Sequence, residues 1–489
     1  MSFVVPLSPP GKATLISASG TIPSTSPIYS WDSVPSASWY LLRVTDPSNQ
    51  AKINQWYTAA DAGCGYVAPG GMLNIMQREL SRRAFVGTTL AATAATATSF
   101  ARILGANDRI AIGIIGCGDR GRQSHIKDIM TFQKENNVEI TAVCDPWRQM
   151  REQAAAQVKE AADKEPAQFV HYEELLAAKN VDAVTIATPE HQHCAQLIAA
   201  VRAGKDAYVE KPLAMNMAEL IQAIDTVKGH GRIVQNGTQI RSLPQALAAR
   251  EFIASGGLGK ILKAAQARNG SKPYWLTYGE RPVREEDVDW KAFLMHLKHR
   301  PFDADQYACW YGYREFSRGP HTTQGLHFID TVHFIAGASI PSRAIAHFGT
   351  YRWKDRRTVP DSVEMMFEYP EGFVVRYSQF FGNGAGRYNR IYGTRGSIDC
   401  SNWSWDGEWP VSGEGSDEPD KVEKGTKLPR VESVHHMKNW LECLRTRKLP
   451  AAPMEAGYAH AVAGIMADES FLRGRRMAYD PVNRKIYEA

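Results

Sequence analysis

Ile110-Ala-Ile-Gly-Ile-Ile-Gly-Cys-Gly-Asp-Arg-Gly121 is the stretch on which the reading of this chain turns. The unbroken apolar run from Ile110 to Ile115 predicts a strand buried on both faces. Three glycines follow at once, and then a helix with Ile126, Ile129 and Met130 on one side. Strand, glycine turn and helix in that order make a dinucleotide-binding fingerprint. Gly116 permits the tight turn, Gly118 lets backbone N–H groups approach a pyrophosphate, and Gly121 allows close helix packing. Cys117, Asp119 and Arg120 complete the turn. A second predicted strand, Val138 to Cys144, ends at Asp145, 24 residues past Gly121, where a carboxylate accepts hydrogen bonds from an adenosine ribose diol. Because that charge repels a 2′-phosphate, NAD is expected over NADP, while Arg148 nearby keeps NADP open.

Working outward, strands continue to alternate with helices. Ala183 to Ala187 leads into a helix with Cys194, Leu197, Ile198 and Val201 on one face, and Ala207 to Val209 ends in Glu210-Lys211-Pro212. Asn216, with Glu219 three residues on, is a capping pair that opens the next helix. Strands joined through helices run parallel with right-handed crossovers, so ligands gather at their C-terminal ends, where Gly116, Asp145, Thr188 and Lys211 all fall. Past Gly237 the pattern changes. Ile261–Ala267, Ile345–Thr350, Val363–Tyr369, Phe373–Phe380, Arg390–Tyr392 and Ser397–Asp399 read as strands, with an apolar-periodic helix over Thr323–Ile335. The fold class is therefore α/β: a Rossmann domain over 106–236, then an α+β domain over 237–489 with a large, open, mostly antiparallel sheet. A C-terminal helix from Met454 to Leu472 is expected to return to the first domain.

The 489 residues are 44% hydrophobic and 22% charged, an ordinary globular composition. The net charge of +5 is spread without a basic stripe, which argues against nucleic acid as a partner. Nowhere does an apolar run reach membrane-spanning length. Seven isolated cysteines without a CxxC spacing argue against a zinc ribbon or a disulfide framework. Residues 1–71 are rich in Ser, Pro and aromatics, with strand-like runs at Ile28–Trp31, Trp39–Val44 and Ile53–Tyr57, like part of a fibronectin-type β module. Residues 72–105 hold Ser81-Arg-Arg-Ala-Phe-Val-Gly87 and an Ala/Thr-rich run to Phe100, the pattern of a twin-arginine export signal. A start at Met72 or Met76 would put that pair where a signal belongs and make 1–71 a fused or misassigned extension. An authentic module over 1–71 would make the pair accidental. Used, the signal implies a periplasmic or extracytoplasmic protein; unused, a cytoplasmic one.

Ala187-Thr-Pro-Glu-His-Gln-His193, Glu210-Lys-Pro212, Gln235-Asn-Gly-Thr-Gln239, Gly393-Thr-Arg-Gly396 and Pro453-Met-Glu-Ala-Gly457 together resemble the Gfo/Idh/MocA family from about Arg109 to the C-terminus. The resemblance implies that Lys211 lies beside the nicotinamide and the reacting carbon. It also implies that Thr188, Pro189, His193 and Glu210 border the cofactor. The chemistry agrees: oxidising an alcohol needs a base, and a partly desolvated lysine beside an oxidised nicotinamide favours the neutral amine. His327, in Gly325-Leu-His-Phe-Ile-Asp330, is the second catalytic candidate, with Asp330 to orient it. Family members often carry an acid four residues before this histidine; here Thr323 stands there and cannot do that work. Gln239, Arg241, Tyr307, Thr323 and Asp330 are candidate substrate contacts, and His321 joins Tyr307 if a glycoside is bound. His191 and His193 stand at alternate positions on a loop, where a pair satisfied by hydrogen bonds is favoured over a ligand pair, so no metal is expected.

These readings converge on an oxidoreductase with retained NAD, acting on a sugar, cyclitol or related polyol, in a homo-oligomer. Two alternatives stay open. Transient oxidation in an NAD-assisted glycosidase or epimerase fits the missing acid at Thr323, and a non-catalytic sugar or dinucleotide sensor fits if Lys211 is idle.

Overall fold

The computed structural model describes residues 39–45, 51–58, 109–277, 281–429 and 431–489, and the chain divides into two compact units. In the first unit, β1 (Trp39–Thr45) and β2 (Ala51–Thr58) pair antiparallel from Trp39 opposite Thr58 to Val44 opposite Ile53. Two of the three strand-like runs of that region are thus strands. Ile28–Trp31 and the Arg82-Arg83 pair read as an export signal lie outside the described residues.

The second unit holds two sheets. The first consists of β3 (Ile110–Ile115), β4 (Val138–Cys144), β5 (Ala167–Phe169), β6 (Ala183–Ile186), β7 (Asp206–Val209) and β8 (Val234–Asn236). All pair in parallel in the order β5-β4-β3-β6-β7-β8, the doubly wound arrangement whose ligand crevice opens where the order reverses, outside β3 and β6. Ile112, Ile114 and Ile115 are fully buried because helices cover both faces, which is why β3 reads as an apolar run and not an alternation. The capping pair forms as expected: Asn216 accepts the Glu219 N–H at 3.0 Å and opens Met217–His230.

The second sheet has nine strands. In chain order they are β9 (Ile261–Ala267), β10 (Arg343–Gly349), β11 (Ser362–Glu368), β12 (Val374–Phe380), β13 (Tyr388–Gly393), β14 (Gly396–Asp399), β15 (Val411–Ser412), β16 (Met477–Asp480) and β17 (Lys485–Glu488). Every pairing is antiparallel except β9 with β12. Along β11, Val363, Met365 and Phe367 are buried while Glu364 and Met366 are exposed, so one face is packed and the other open. Helices Leu326–Ala336 and Met454–Arg473 pack together beside the sheet, and the latter also lies on β10. The long helix also reaches β8 and Met217–His230. It can do so because Gly457 sits where a Cβ would come within 3.1 Å of Leu213 and 3.3 Å of Asn236. No helix of the described residues is long and apolar enough to cross a membrane.

Candidate active site

Sterics fix the glycine turn. Gly116 has φ +90° and backs onto the Ala187 carbonyl, and a Cβ on Gly121 would stand 2.0 Å from the Gly116 oxygen. A Cβ on Gly118 would meet nothing within 4 Å, so this side of the turn has room for a group to lie against the backbone. Asp145 is buried, and its two oxygens accept the N–H groups of Cys117 at 2.7 Å and Trp147 at 2.8 Å. The carboxylate therefore ties the turn to the end of β4 and keeps one lone pair per oxygen for a further donor. Burial raises its pKa to about 6 against the pull of those two N–H groups.

A cavity of about 660 Å³ opens beside this turn, bordered by Gly116, Pro146, His171, Thr188, Gln196 and Lys291. Its far wall is the short helix Trp290–Leu294, capped by Asp289, which accepts the Ala292 N–H at 2.9 Å. Glu285–Leu294 is fastened across the crevice at several points. Asp289 N–H donates to the Pro146 carbonyl at 3.0 Å, the Gln192 side chain donates to the Phe293 carbonyl at 2.7 Å, and Arg148 pairs with Asp287.

Glu210 is the hub on the other side. Its Oε1 receives Arg120 at 2.6 Å, His125 at 3.0 Å and Gln239 at 3.2 Å, linking the end of β7 to the glycine turn and to the loop after β8. Burial opposes its ionisation, yet Arg120 and His125 hold it well below the usual carboxylate range. Gly237 must be glycine here, because a Cβ would fall 2.6 Å from the Glu210 carboxylate. Gln239, expected at the substrate, is spent on Glu210 and on the Tyr208 hydroxyl, 2.7 Å away.

Lys211, next in sequence, donates to the Thr323 carbonyl. Burial lowers its pKa to about 8, opposed by the charges of Glu210 and Glu190. The Thr323 hydroxyl donates to the Gly319 carbonyl at 3.1 Å and receives the Tyr274 hydroxyl at 2.5 Å. His327 lies in the same neighbourhood, where burial and the Lys211 charge keep its imidazole neutral, and its Nδ1 is buried without a partner.

Glu190 was not singled out from the sequence, although it stands inside the quoted Thr188-Pro-Glu-His run. It is buried, accepts the Arg318 N–H at 3.0 Å and the Thr322 hydroxyl at 3.1 Å, and burial lifts its pKa to about 7 against the charge of Lys211. A carboxyl directly after a strand-end proline was the available signal.

Other expected residues are engaged elsewhere. Asp330 does not orient His327; it is buried between Arg241 at 2.7 Å and His460 at 3.2 Å, because opposite charges confined in a low-dielectric interior find each other first. Arg241 is occupied by the same pair. Tyr307 packs edge-on to Trp147 at 5.6 Å, and burial, with the Asp145 charge adding to it, pushes its pKa up, which groups it with the glycine turn and not with Lys211. His321 is buried against Asp468 at 3.5 Å and Phe348. His193 braces two carbonyls, Pro212 at 2.7 Å and Thr188 at 2.8 Å.

A glycine-turn nucleotide fold with a roofed crevice, joined to an open sheet domain that brings Thr323 and His327 to Lys211, is the two-domain architecture of an oxidoreductase family with an NAD-binding Rossmann fold. Two models of one family match: the oxidoreductase family's NAD-binding Rossmann fold over residues 110–238, and its C-terminal alpha/beta domain over 291–479. The chain belongs to the Gfo/Idh/MocA family. Among curated relatives, a glycosyl hydrolase family 109 protein of Shewanella sp. (strain W3-18-1) is 27% identical over 164 residues, 33% of this chain and 35% of the relative. The chain thus spans about a third of the length of the relatives of this kind. An uncharacterized oxidoreductase of Streptococcus pneumoniae is 24% identical over 315 residues, 62% of this chain and 72% of that one. Two solved structures share the fold. The WlbA dehydrogenase of Bordetella pertussis, in complex with NADH and UDP-GlcNAcA, has a TM-score of 0.58 at 18% identity, covering 76% of this chain and 99% of that one. Levoglucosan dehydrogenase with NADH has a TM-score of 0.57 at 18% identity, covering 76% and 98%.

Proposed function

We propose that this protein moves hydride between a nicotinamide cofactor and a hydroxyl-bearing carbon of a sugar, cyclitol or related polyol. The observation that carries the reading is one cluster: a buried lysine with a depressed pKa, a buried carboxyl that titrates near 7, and a neutral imidazole with an unpartnered nitrogen, beside a nucleotide fold. The turn from Gly116 to Gly121 would hold the pyrophosphate, and Asp145, Thr188 and Pro189 would border the adenosine half. Bound there, the nicotinamide would accept or return hydride. Lys211 takes the hydroxyl proton as the neutral amine, and Thr323, through its carbonyl, fixes the direction of that amine. Glu190 tunes Lys211 by its charge and supplies the titratable acid that Thr323 cannot. His327 hydrogen-bonds the substrate oxygen. Glu173, Glu174 and Asp289 on the cavity wall outnumber Lys291, which favours NAD over NADP. The fastened Glu285–Leu294 segment supports cofactor retention, and Arg82-Arg83 supports export by the twin-arginine route. A second copy of this chain would cover the open sheet face.

The test is direct. Denaturing the purified protein should release nicotinamide nucleotide, and a panel of free sugars added to the native protein should change nicotinamide absorbance at 340 nm; the absorbance change would be incompatible with a passive sensor. A second reading, transient oxidation in glycoside cleavage, is favoured by Thr323 and by the family 109 relatives. Turnover of chromogenic glycosides without net reduction of added cofactor would select it.

A further inference from the structure

We infer that the sugar accepted beside Lys211 carries an anionic group, a carboxylate or a phosphate, and that Arg268 and Arg387 receive it next to Trp403. This deepens the dehydrogenase reading and rests on it.

Arg268 is the residue directly after β9 and is half-buried, with its guanidinium carbon 4.9 Å from the centre of the Trp403 ring. The His327 ring lies 6.2 Å from the same indole, so one aromatic ring neighbours both the imidazole of the site and this guanidinium. The charge of Arg268 is also among those that depress both Lys211 and His327. Yet among the described residues no carboxylate lies within 4.0 Å of it, and its side-chain N–H groups have no acceptor. Among the described residues, several partly buried arginines are matched by a carboxylate: Arg120 by Glu210, Arg241 by Asp330, Arg314 by Asp468 and Arg447 by Asp206.

The second cation stands close by. Arg387 ends the glycine-rich loop between β12 and β13, and that loop is pinned to the residue after Arg268 by Asn269, whose Nδ2 donates to the Ala385 carbonyl at 2.8 Å. Arg387 is exposed and likewise has no carboxylate within ion-pair distance among the described residues. Burial lowers the pKa of Arg268, and the like charge of Arg387 lowers it further. A neutral polyol would leave a partly desolvated guanidinium uncompensated. An anion set between the two arginines relieves the repulsion and supplies the charge-assisted, bidentate acceptor for which guanidinium geometry is suited.

The experiment uses the full chain with its nicotinamide nucleotide. The probes are D-glucuronate, D-galacturonate and D-glucose 6-phosphate, compared with D-glucose and D-galactose, for wild type, Arg268→Gln and Arg387→Gln. At least one anionic probe should exceed its neutral counterpart tenfold or more in kcat/KM, and each variant should lose at least tenfold of that preference. The uronates against the phosphate decide between carboxylate and phosphate. Equal turnover of neutral and anionic sugars, or an unchanged preference in both variants, overturns the anion site and leaves the dehydrogenase standing. If no sugar is oxidised or reduced, the dehydrogenase reading fails, and calorimetric titration with the same probes decides. Anion binding lost in Arg387→Gln, an exposed position where folding is not at risk, sustains the site; absence of any anion binding in wild type overturns it.

Discussion

Lys211 and Glu190 are two titratable groups whose environments move them toward each other, one down to about 8 and the other up to about 7. Oxidation should therefore gain rate as pH rises through about 8, where the amine loses its proton. Lys211→Met should cost at least about a thousandfold in kcat, counting general-base catalysis and lost positioning, while nucleotide binding is kept. In Glu190→Gln a negative neighbour is gone, so the rising limb should move to lower pH; an unmoved limb would exclude Glu190 from tuning the lysine. The same variant makes a stability claim of opposite sign. An acid whose folded pKa is raised withdraws stability as pH climbs from its ordinary 4.5 toward 7, at about 1.4 kcal/mol per unit as an upper bound. Glu190→Gln should accordingly melt higher than wild type above pH 7 and match it near pH 4.5, read by calorimetry across that range. Gly121→Ala drives a methyl into the Gly116 oxygen and should destabilise by about 1–3 kcal/mol while abolishing nucleotide uptake. At this scale the sequence exposed the turn and the lysine, because glycine sterics and a strand-end position are written locally. It did not expose the partners of Arg241, Asp330, Gln239 and Tyr307. Those depend on which charges and hydroxyls a fold buries together, and residues such as His460 and Glu210 reach them from distant parts of the chain.

Among elements, the strands with strong patterns were legible: β3, β4, β9 and β11 to β14 fall where apolar runs or alternation placed them, within two residues at each end. The missed ones are short. β5 and β8 have three residues each and β15 two, too few for a period to show, and β16 and β17 follow the C-terminal helix without an alternating signal. Glu285–Leu294 was equally silent, since a five-residue helix carries no periodicity and its hold on the crevice lies in the Asp289 N–H bond to the Pro146 carbonyl and in the Gln192 side chain's bond to the Phe293 carbonyl. Asp289 caps that helix and lines the cavity. Asp289→Ala should weaken the cap by about 1 kcal/mol and speed nucleotide release about fivefold, measured by the decay of bound-NADH fluorescence after dilution.

For the whole molecule, the open face of the nine-stranded sheet carries Ile345 directly opposite Met366, at 50% and 47% exposed, with Val374 and Phe380 on the adjoining strand. Around them lie paired charges of both signs, Arg376 with Glu364 and Arg390 with Asp399, a pattern that can meet its own copy about a twofold axis. Ile345→Glu with Met366→Glu should shift the protein to a smaller species in light scattering without loss of helix content. The roof of Glu285–Leu294 bears on kinetics in another way. If the nucleotide is retained under that roof, as proposed, it would be spent after one half-reaction and restored only when a complementary molecule visits the same cleft. Donor and acceptor would then alternate, each excluding the other, so double-reciprocal plots for the pair should run parallel and either partner in excess should slow the cycle.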